Sequence, residues 1–559
     1  MQTGTLTHSL PSNPFNFERH IGTVAEIGHG SVVTALHPVP VSSESDESLI
    51  VGDIGSFILV ACREYAIFGQ ITKIERADLD EESLFATVKL QATIEVRTGS
   101  ITAGTLTTPR IGQKVFLAHP KLVQWVVEAQ GGRTAEERPI SLSLANLTDA
   151  KETPVGFTPE MIFGRHLAVV GSTGAGKSWT LARLMEETSK YKSKVVLFDA
   201  TGEFNSLEAA TKHVHLGNHP SPSPESMEVA LPYFQLTERD LFSIFKPHGQ
   251  SQGPKLRMAI RSLKLAWLDT SIAPDGTIVK ANKSKLQFEQ AMREHRRELE
   301  APDAKFDVRK LVRQIQNECV HDQRSELEPT VWGDYNGVDR AYCIPLVNRI
   351  HDILRSPSLE SIFNPDGKHS LLLELERFLE SPDEKIFRIS LEHLSFAHNA
   401  REIVANAIGR HMLNLARDGR FREHPLLVIV DEAHQFLNQS LTAESEQHPL
   451  DSFAIIAKEG RKYALNICLA TQRPRDIPED VLSQMGTLIV HRLINHQDRA
   501  VIERASTEMD SASMQSLPAL APGRAIILGV DFPIPLEVKV RAPRSAPASD
   551  GPDYQRFWR

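Results

Sequence analysis

Cysteine is scarce in this chain. Cys62, Cys319, Cys343 and Cys468 are scattered over 559 positions and form no CxxC pair. That excludes a zinc ribbon and offers no disulfide framework, as expected of a chain kept in a reducing cytosol. Long apolar runs are missing too. None reaches the ~18 residues that a membrane span needs, so no membrane association is expected. The opening MQTGTLTHSLPSNPF has neither the basic nor the apolar region of a signal peptide, and a cytoplasmic location is the expectation. An excess of positive charge is also lacking: 62 Lys and Arg face 71 Asp and Glu, a net charge of −9. This excludes a chain-wide electrostatic coat for nucleic acid but leaves room for a local basic channel. What remains is 41% hydrophobic and 24% charged, an ordinary globular composition. The length suggests two to four domains and permits more than one core.

One stretch carries immediate chemistry. Gly171-Ser172-Thr173-Gly174-Ala175-Gly176-Lys177-Ser178 is a complete GxxxxGK[ST] phosphate loop. Leu167–Val170 before it is an apolar run of strand length, and Trp179–Glu187 after it has helical spacing. Glycines let backbone N–H groups turn inward at a helix N-terminus and cradle the phosphates of ATP. Lys177 is expected to bring positive charge to those phosphates, and Ser178 a hydroxyl to Mg²⁺. The nucleotide-binding residues are therefore expected to run from Gly171 through Trp179. A chance match on a glycine-rich turn is the alternative, and the strand and helix on either side argue against it.

Along the chain, residues 1–17 form a polar lead. From about Ile21 to Leu117, short β-rich runs are split by Gly, Pro and Asp, which predicts a small sandwich or barrel. No catalytic constellation lies there, so an assembly or docking module is expected. Residues 119–165 read as a connector. Val195–Asp199 is a second apolar run ending in an acid, and Glu203 follows. Asp199 and Glu203 are candidates for a water- or metal-adjacent role at a strand end, set against a plain turn or capping role. Polar turns at Ser221-Pro222-Ser223-Pro224 then lead into helical patterns. Leu256, Ile260, Leu263 and Trp267 fall on one helical face. Lys285–Glu300 reads as one charged amphipathic helix. Its Arg293, Arg296 and Arg297 are favoured as parts of a solvated face laced by i,i+4 pairs over contacts to a phosphate backbone.

The strand–helix alternation resumes at Ile386–Ser390, and a helix is expected at about Asn399–Asp418. Leu426–Val430 reads LLVIV, a strand buried on both faces, and delivers Asp431 and Glu432. Asp431 can hold Mg²⁺ through its water shell, and Glu432 can polarise the attacking water as general base. Further strands are expected at Asn466–Ala470, Thr487–Leu493 and Arg524–Leu528, parallel strands of a doubly wound sheet. Gln472, at the tip of the first of these, is placed to sense the γ-phosphate. The Pro/Ser/Ala-rich tail Ala542–Gly551 ends in Tyr554, Phe557 and Trp558. Aromatics on such a tether are expected to dock on a neighbouring copy or on the same core, the alternative being a disordered end.

The motif series GSTGAGKS, DATGEF, LPYFQLT, VDEAHQFL, KEGRKY and ATQRPRDIPEDVLSQMGTLIVHRL resembles that of the HerA-type ATPases, in the HerA/FtsK branch of RecA-like P-loop proteins. The β-rich start resembles the HAS-barrel of that family. The resemblance implies an α/β fold: a RecA-like P-loop ATPase core with a helical insertion, preceded by a small all-β barrel. The boundaries it suggests are a barrel at 18–145, core at 146–245, insertion at 246–385, core at 386–541 and tail at 542–559. It also implies a homohexameric ring that hydrolyses ATP with Mg²⁺, moves double-stranded DNA through its pore, and works with an effector. That effector would be a NurA-like nuclease, or in anti-phage systems a sirtuin-like NAD-consuming or other nuclease-type protein. By motif position, Lys177 and Ser178 bind phosphates and Mg²⁺, Asp431 and Glu432 are the acid pair, and Gln472 is the sensor. Arg461 resembles the arginine that reaches ATP across a subunit boundary, with Arg473 and Arg492 as lesser candidates. A nucleotide-dependent scaffold that assembles and activates an effector without moving DNA is the competing reading. A metabolic P-loop kinase is disfavoured, since no acceptor site is visible.

Overall fold

The computed structural model describes residues 10–37, 52–76, 84–128, 140–148, 153–208, 210–217, 225–301, 303–395, 397–437, 450–506, 511–532, 534–548 and 554–558. The Ser221–Pro224 turns fall outside these residues. The chain divides into two compact units, Met1–Ser193 with Asn466–Arg559, and Lys194–Leu465.

The first unit opens with strands β1 (His20–Ile27), β2 (Ser31–Leu36), β3 (Phe57–Cys62), β4 (Tyr65–Arg76), β5 (Leu84–Glu95), β6 (Ile101–Ala103) and β7 (Lys114–Leu117). They pair antiparallel in the order β2-β1-β7-β3-β4-β5, and β5 pairs back onto β2. The result is a closed six-stranded barrel, with β6 added beside β5. Alternation drives the closure: β2 buries Val32, Thr34 and Leu36 and turns the residues between them outward. Val24, Ile58, Val60, Ile67, Val88 and Val115 complete a β-branched interior. Bulges at Phe68/Gly69 and Ile71/Lys73 bend the long β4–β5 ladder around the barrel.

The remaining strands are β8 (Leu142–Leu147), β9 (Pro154–Phe157), β10 (Leu167–Val170), β11 (Lys194–Asp199), β12 (Thr211–His215), β13 (Met227–Ala230), β14 (His369–Ser370), β15 (Ile386–Ser390), β16 (Leu426–Val430), β17 (Leu465–Thr471), β18 (Thr487–Val490), β19 (Arg524–Gly529) and β20 (Leu536–Val540). The first unit holds the order β17-β10-β18-β19-β20-β8-β9. Only β17, β10 and β18 are mutually parallel. From β18 onward every pairing is antiparallel. Arg524–Leu528 is thus a strand as expected, but it runs opposite to the direction expected. The stretch read as a connector contributes strands β8 and β9 and the helices Pro120–Glu128 and Pro159–Phe163.

The second unit carries β14-β13-β12-β15-β11-β16, all parallel. β15 and β16 are buried at every residue, as strands covered on both faces must be. A helical block lies between β13 and β14 in sequence: Gly249–Leu268, Lys285–Glu294, Arg296–Leu299, Leu311–Glu318 and Gly337–Arg355 are its main helices. Leu256, Ile260 and Leu263 are buried as expected, but Trp267 is 54% exposed. It sits in the last turn before Leu268, past the core that covers the others. Lys285–Glu300 is two helices broken at His295. Arg293, Arg296 and Arg297 are exposed, and Arg296 lies 3.7 Å from Glu300, which fits the solvated-face reading. At the tail, Tyr554 and Trp558 stack edge to face on each other at 4.8 Å, with Trp558 81% exposed.

Candidate active site

The phosphate loop stands in the first unit, between β10 and the helix Lys177–Ser189. Gly176 caps that helix with φ +116°, a conformation that only glycine adopts without strain. Neighbouring strands hold the loop: Ser172 N donates to the Arg492 carbonyl at 2.9 Å, and Gly523 N to the Ala175 carbonyl at 3.1 Å. The Thr173 hydroxyl bonds to Gln472 Oε1. The strand-tip glutamine and the glycine loop, far apart in sequence, therefore touch. Lys177 is buried at 6% exposure, and Trp179 is 40% exposed. The helix behind the loop is tied down by charge. Arg183 donates to the Ser143 carbonyl at 2.8 Å, and Glu187 accepts from Ser143 N at 3.1 Å. Glu186 accepts from the backbone of Arg544 and Ser545 at 2.6 and 2.8 Å.

His491, just past the end of β18, was not singled out in the sequence. It is fully buried between the Thr180 hydroxyl, 2.8 Å from Nε2, and the Arg524 carbonyl, 2.9 Å from Nδ1. A neutral ring satisfies both: Nδ1–H donates to the carbonyl and Nε2 accepts from the hydroxyl. Burial, and secondarily the Lys177 ammonium, lower its pKa to about 4. The unfolded chain therefore takes up a proton near pH 6.5 that the fold resists until about pH 4. Stability is complete above 6.5 and is lost as pH falls through that window, by about 3 kcal/mol in the limit. Denaturant unfolding between pH 7.5 and 4 checks this. The slope of stability against pH is expected to flatten in His491→Gln, and an unchanged slope would exclude the ring as its source.

The acids stand in the second unit. β11 and β16 are neighbours in register, Phe198 opposite Val430, and Asp431 N donates to the Phe198 carbonyl at 3.1 Å. This sets Asp199 and Asp431 at the same end of adjacent parallel strands. Their environments differ. Asp199 accepts from Arg388 Nε at 2.7 Å, Gly202 N at 2.8 Å and Phe204 N at 3.1 Å. Of the two roles weighed for it, the geometry gives the turn-holding one: it is paired and saturated. Asp431 is buried, and desolvation, then Glu432, Asp199 and Glu203, hold its carboxyl well above the usual range. A carboxylate crowded by others is the environment a divalent cation relieves. Among the described residues no group of three or more His, Cys, Asp or Glu forms a metal cage. Glu432 is buried at 6% exposure with φ +46°, a left-handed conformation that costs a non-glycine residue of order 1–3 kcal/mol and clusters at functional sites. Its Oε2 lies 3.3 Å from His434 Nδ1.

Arg461 sits in the turn Gly460–Tyr463, also in the second unit. A Cβ on Gly460 would meet the Leu465 carbonyl oxygen at 2.4 Å, so only glycine permits this turn. Arg461 is exposed, and no carboxylate lies within ion-pair distance of it among the described residues. Arg473 is 3.9 Å from Asp476, and Arg492 is half-buried with its carbonyl engaged by Ser172. Of the three arginines, Arg461 is the one both exposed and without an ionic partner.

A GxxxxGKS loop between strand and helix, and an acid pair at the end of a buried parallel strand, define a P-loop ATP hydrolase. Residues 142–330 match the family model described as Helicase HerA, central domain. A Methanocaldococcus jannaschii protein named "Probable helicase" is 24% identical over 408 residues, 71% of this chain and 66% of its own length. A second from that organism, named "Probable DNA double-strand break repair helicase HerA", is 25% identical over 424 residues, 72% of this chain and 76% of its own. Among solved structures, VirB4 of Thermoanaerobacter pseudethanolicus aligns with a TM-score of 0.45 at 15% identity, covering 74% of this chain and 98% of that one. Over these stretches the chain is similar to the HerA-type ATPases, and its P-loop core is preceded by a small β-barrel. No helix among the described residues is long and apolar enough to cross a membrane.

Proposed function

We propose that this chain assembles into a ring, a homohexamer, that hydrolyses ATP to move double-stranded DNA. The carrying observation is Arg461, exposed and without an ion-pair partner among the described residues, on a turn that requires glycine at 460. A cation held out in this way suits a nucleotide belonging to the next subunit, where it neutralises charge developing at the transferred phosphoryl group. Lys177 and the loop amides bind the phosphates, and Gln472, through Thr173, reads the state of the loop. Ser178, and Asp431 through a water shell, are the residues that would hold magnesium, which when bound would supply positive charge to the phosphates. Glu432 takes the proton of the attacking water. The net charge of −9 is compatible with DNA in the pore, since a few inward Lys and Arg per subunit suffice when six copies surround the duplex. The named relatives, helicases of DNA double-strand break repair among them, support the DNA substrate. The reading extends to an effector partner, either a NurA-like nuclease in end processing or a sirtuin-like or nuclease-type protein in anti-phage defence.

ATP turnover measured with and without double-stranded DNA tests this reading. Turnover is expected to rise with DNA, and apparent DNA affinity to fall steeply with salt, with a log–log slope of about −0.9 per phosphate contacted. The purified protein is expected to weigh six chains. Turnover indifferent to DNA, with effector activity surviving Glu432→Gln, would instead make the protein a nucleotide-dependent scaffold.

A further inference from the structure

The phosphate loop has an underside, and one side chain fills it. His491 N donates to the Val170 carbonyl at 2.8 Å, which sets this residue beside the start of the loop. A Cβ placed on Gly171 would fall 2.6 Å from the His491 Cβ. One placed on Gly176 would fall 3.3 Å from His491 Cε1 and from the Gly523 backbone. The first and third glycines of the motif therefore lie against the same histidine, and each is needed there for close approach. The ring is also tied at both nitrogens, by groups from different elements. Thr180, bonded to Nε2, stands in the first turn of the helix Lys177–Ser189, and its backbone N donates to the Gly176 carbonyl at 3.0 Å. Arg524, whose carbonyl is bonded to Nδ1, opens β19, next to the Gly523 that holds Ala175. An apolar side chain of similar bulk would fill this space and make neither bond. Buried as it is, the ring makes both without competition from water.

We infer that His491 is a positioning residue for ATP: it holds the phosphate loop in its nucleotide-accepting shape before nucleotide arrives, and so sets affinity and not the rate of the chemical step. The ring acts through Gly171, Gly176 and Thr180. A loop that binds phosphate with its backbone amides must keep them turned inward. If it spends only a fraction of its time in that shape, apparent affinity falls by that fraction, and a support that fixes the shape in advance removes this cost. Lys177 follows Gly176 directly, so the stem that carries its ammonium starts from the same supported point. The loop holds the phosphates before and during hydrolysis alike. Binding lost with the support is lost from both states, which raises KM and leaves kcat.

The test uses the full chain: equilibrium binding of a fluorescent, non-hydrolysable ATP analogue with magnesium, beside steady-state turnover of ATP. Thr180→Val removes the hydroxyl that faces the ring and keeps the shape of the side chain. His491→Asn keeps a donor near the Nδ1 position for the Arg524 carbonyl and gives up the reach to Thr180. Each is expected to weaken binding and raise KM about tenfold, with kcat within about twofold of wild type. Both remove the same contact, so the double variant should bind about as tightly as either single one, and not about a hundredfold more weakly than wild type. Val32→Ala, in the fully buried interior of the barrel, lowers stability without touching the loop and should bind the analogue as wild type does. The assignment is wrong if Thr180→Val keeps wild-type affinity, if kcat falls while affinity holds, if the two losses add, or if Val32→Ala weakens binding equally. Thr180→Val decides the matter even if His491→Asn does not fold. A wild-type chain that binds no analogue would instead overturn the reading of the loop as an ATP site.

Discussion

ATP hydrolysis by Glu432→Gln is expected to fall about 10²–10⁴-fold, the usual contribution of a positioned general base, with nucleotide still bound. The substitution keeps shape and removes only the ability to take a proton. Glu432 is suited to this role for a reason beyond its position after a buried strand. Its backbone is held at φ +46°, and its carboxylate is buried beside His434 at 3.3 Å. A fold maintains a glutamate in that conformation only where its surroundings over-determine it. Phosphate release in a single turnover, set beside equilibrium binding of a fluorescent ATP analogue, separates chemistry from binding. Full-rate hydrolysis by a variant that binds normally would move the base elsewhere.

Arg461→Ala is expected to lower kcat by about 10³–10⁵-fold, the range of an arginine supplied to a phosphoryl transition state. The variant should still bind nucleotide and still assemble. Arg461→Lys is expected to recover little, because a point charge does not reproduce the planar fork of a guanidinium. Mixing the two inactive variants gives the decisive measurement. If Arg461 serves the neighbouring subunit, a subunit carrying Arg461→Ala retains its own Glu432 and can borrow Arg461 from an adjacent Glu432→Gln subunit. Mixed assemblies should then regain a fraction of wild-type turnover. If the arginine acts on its own subunit's nucleotide, no ratio of the two restores activity.

What the sequence revealed and what it hid divide along a physical line. The phosphate loop and the LLVIVDE run are local patterns. Strand β10, the glycine turn and the helix start occupy consecutive residues, and a short run of five apolar residues ending in acids fits a strand covered on both faces. The direction of β19 was hidden because RAIIL reads the same whether it runs with or against β18. Trp267 matched its helical face in spacing but not in depth, since periodicity does not report where the core ends. Asp199 stood open between a functional acid and a turn-holding one, because Arg388, which pairs with it, lies remote in sequence. His491 gave only the signal of a histidine after an apolar strand, and its partners Thr180 and Arg524 come from other elements.

The small barrel at the start of the chain uses up its own backbone. Six strands bond in a circle, and among the described residues only three-residue β6 is left as a margin. A visiting polypeptide therefore finds no long ladder there to extend, and addition of a strand, the commonest route to unwanted fibres, is closed to this domain. If the domain docks a partner, the loop side chains Ile54, Leu106 and Ile111, 61–69% exposed, offer the apolar surface for it. A surface of that kind can diverge among related chains by simple replacement, changing who is greeted without disturbing how the cylinder folds.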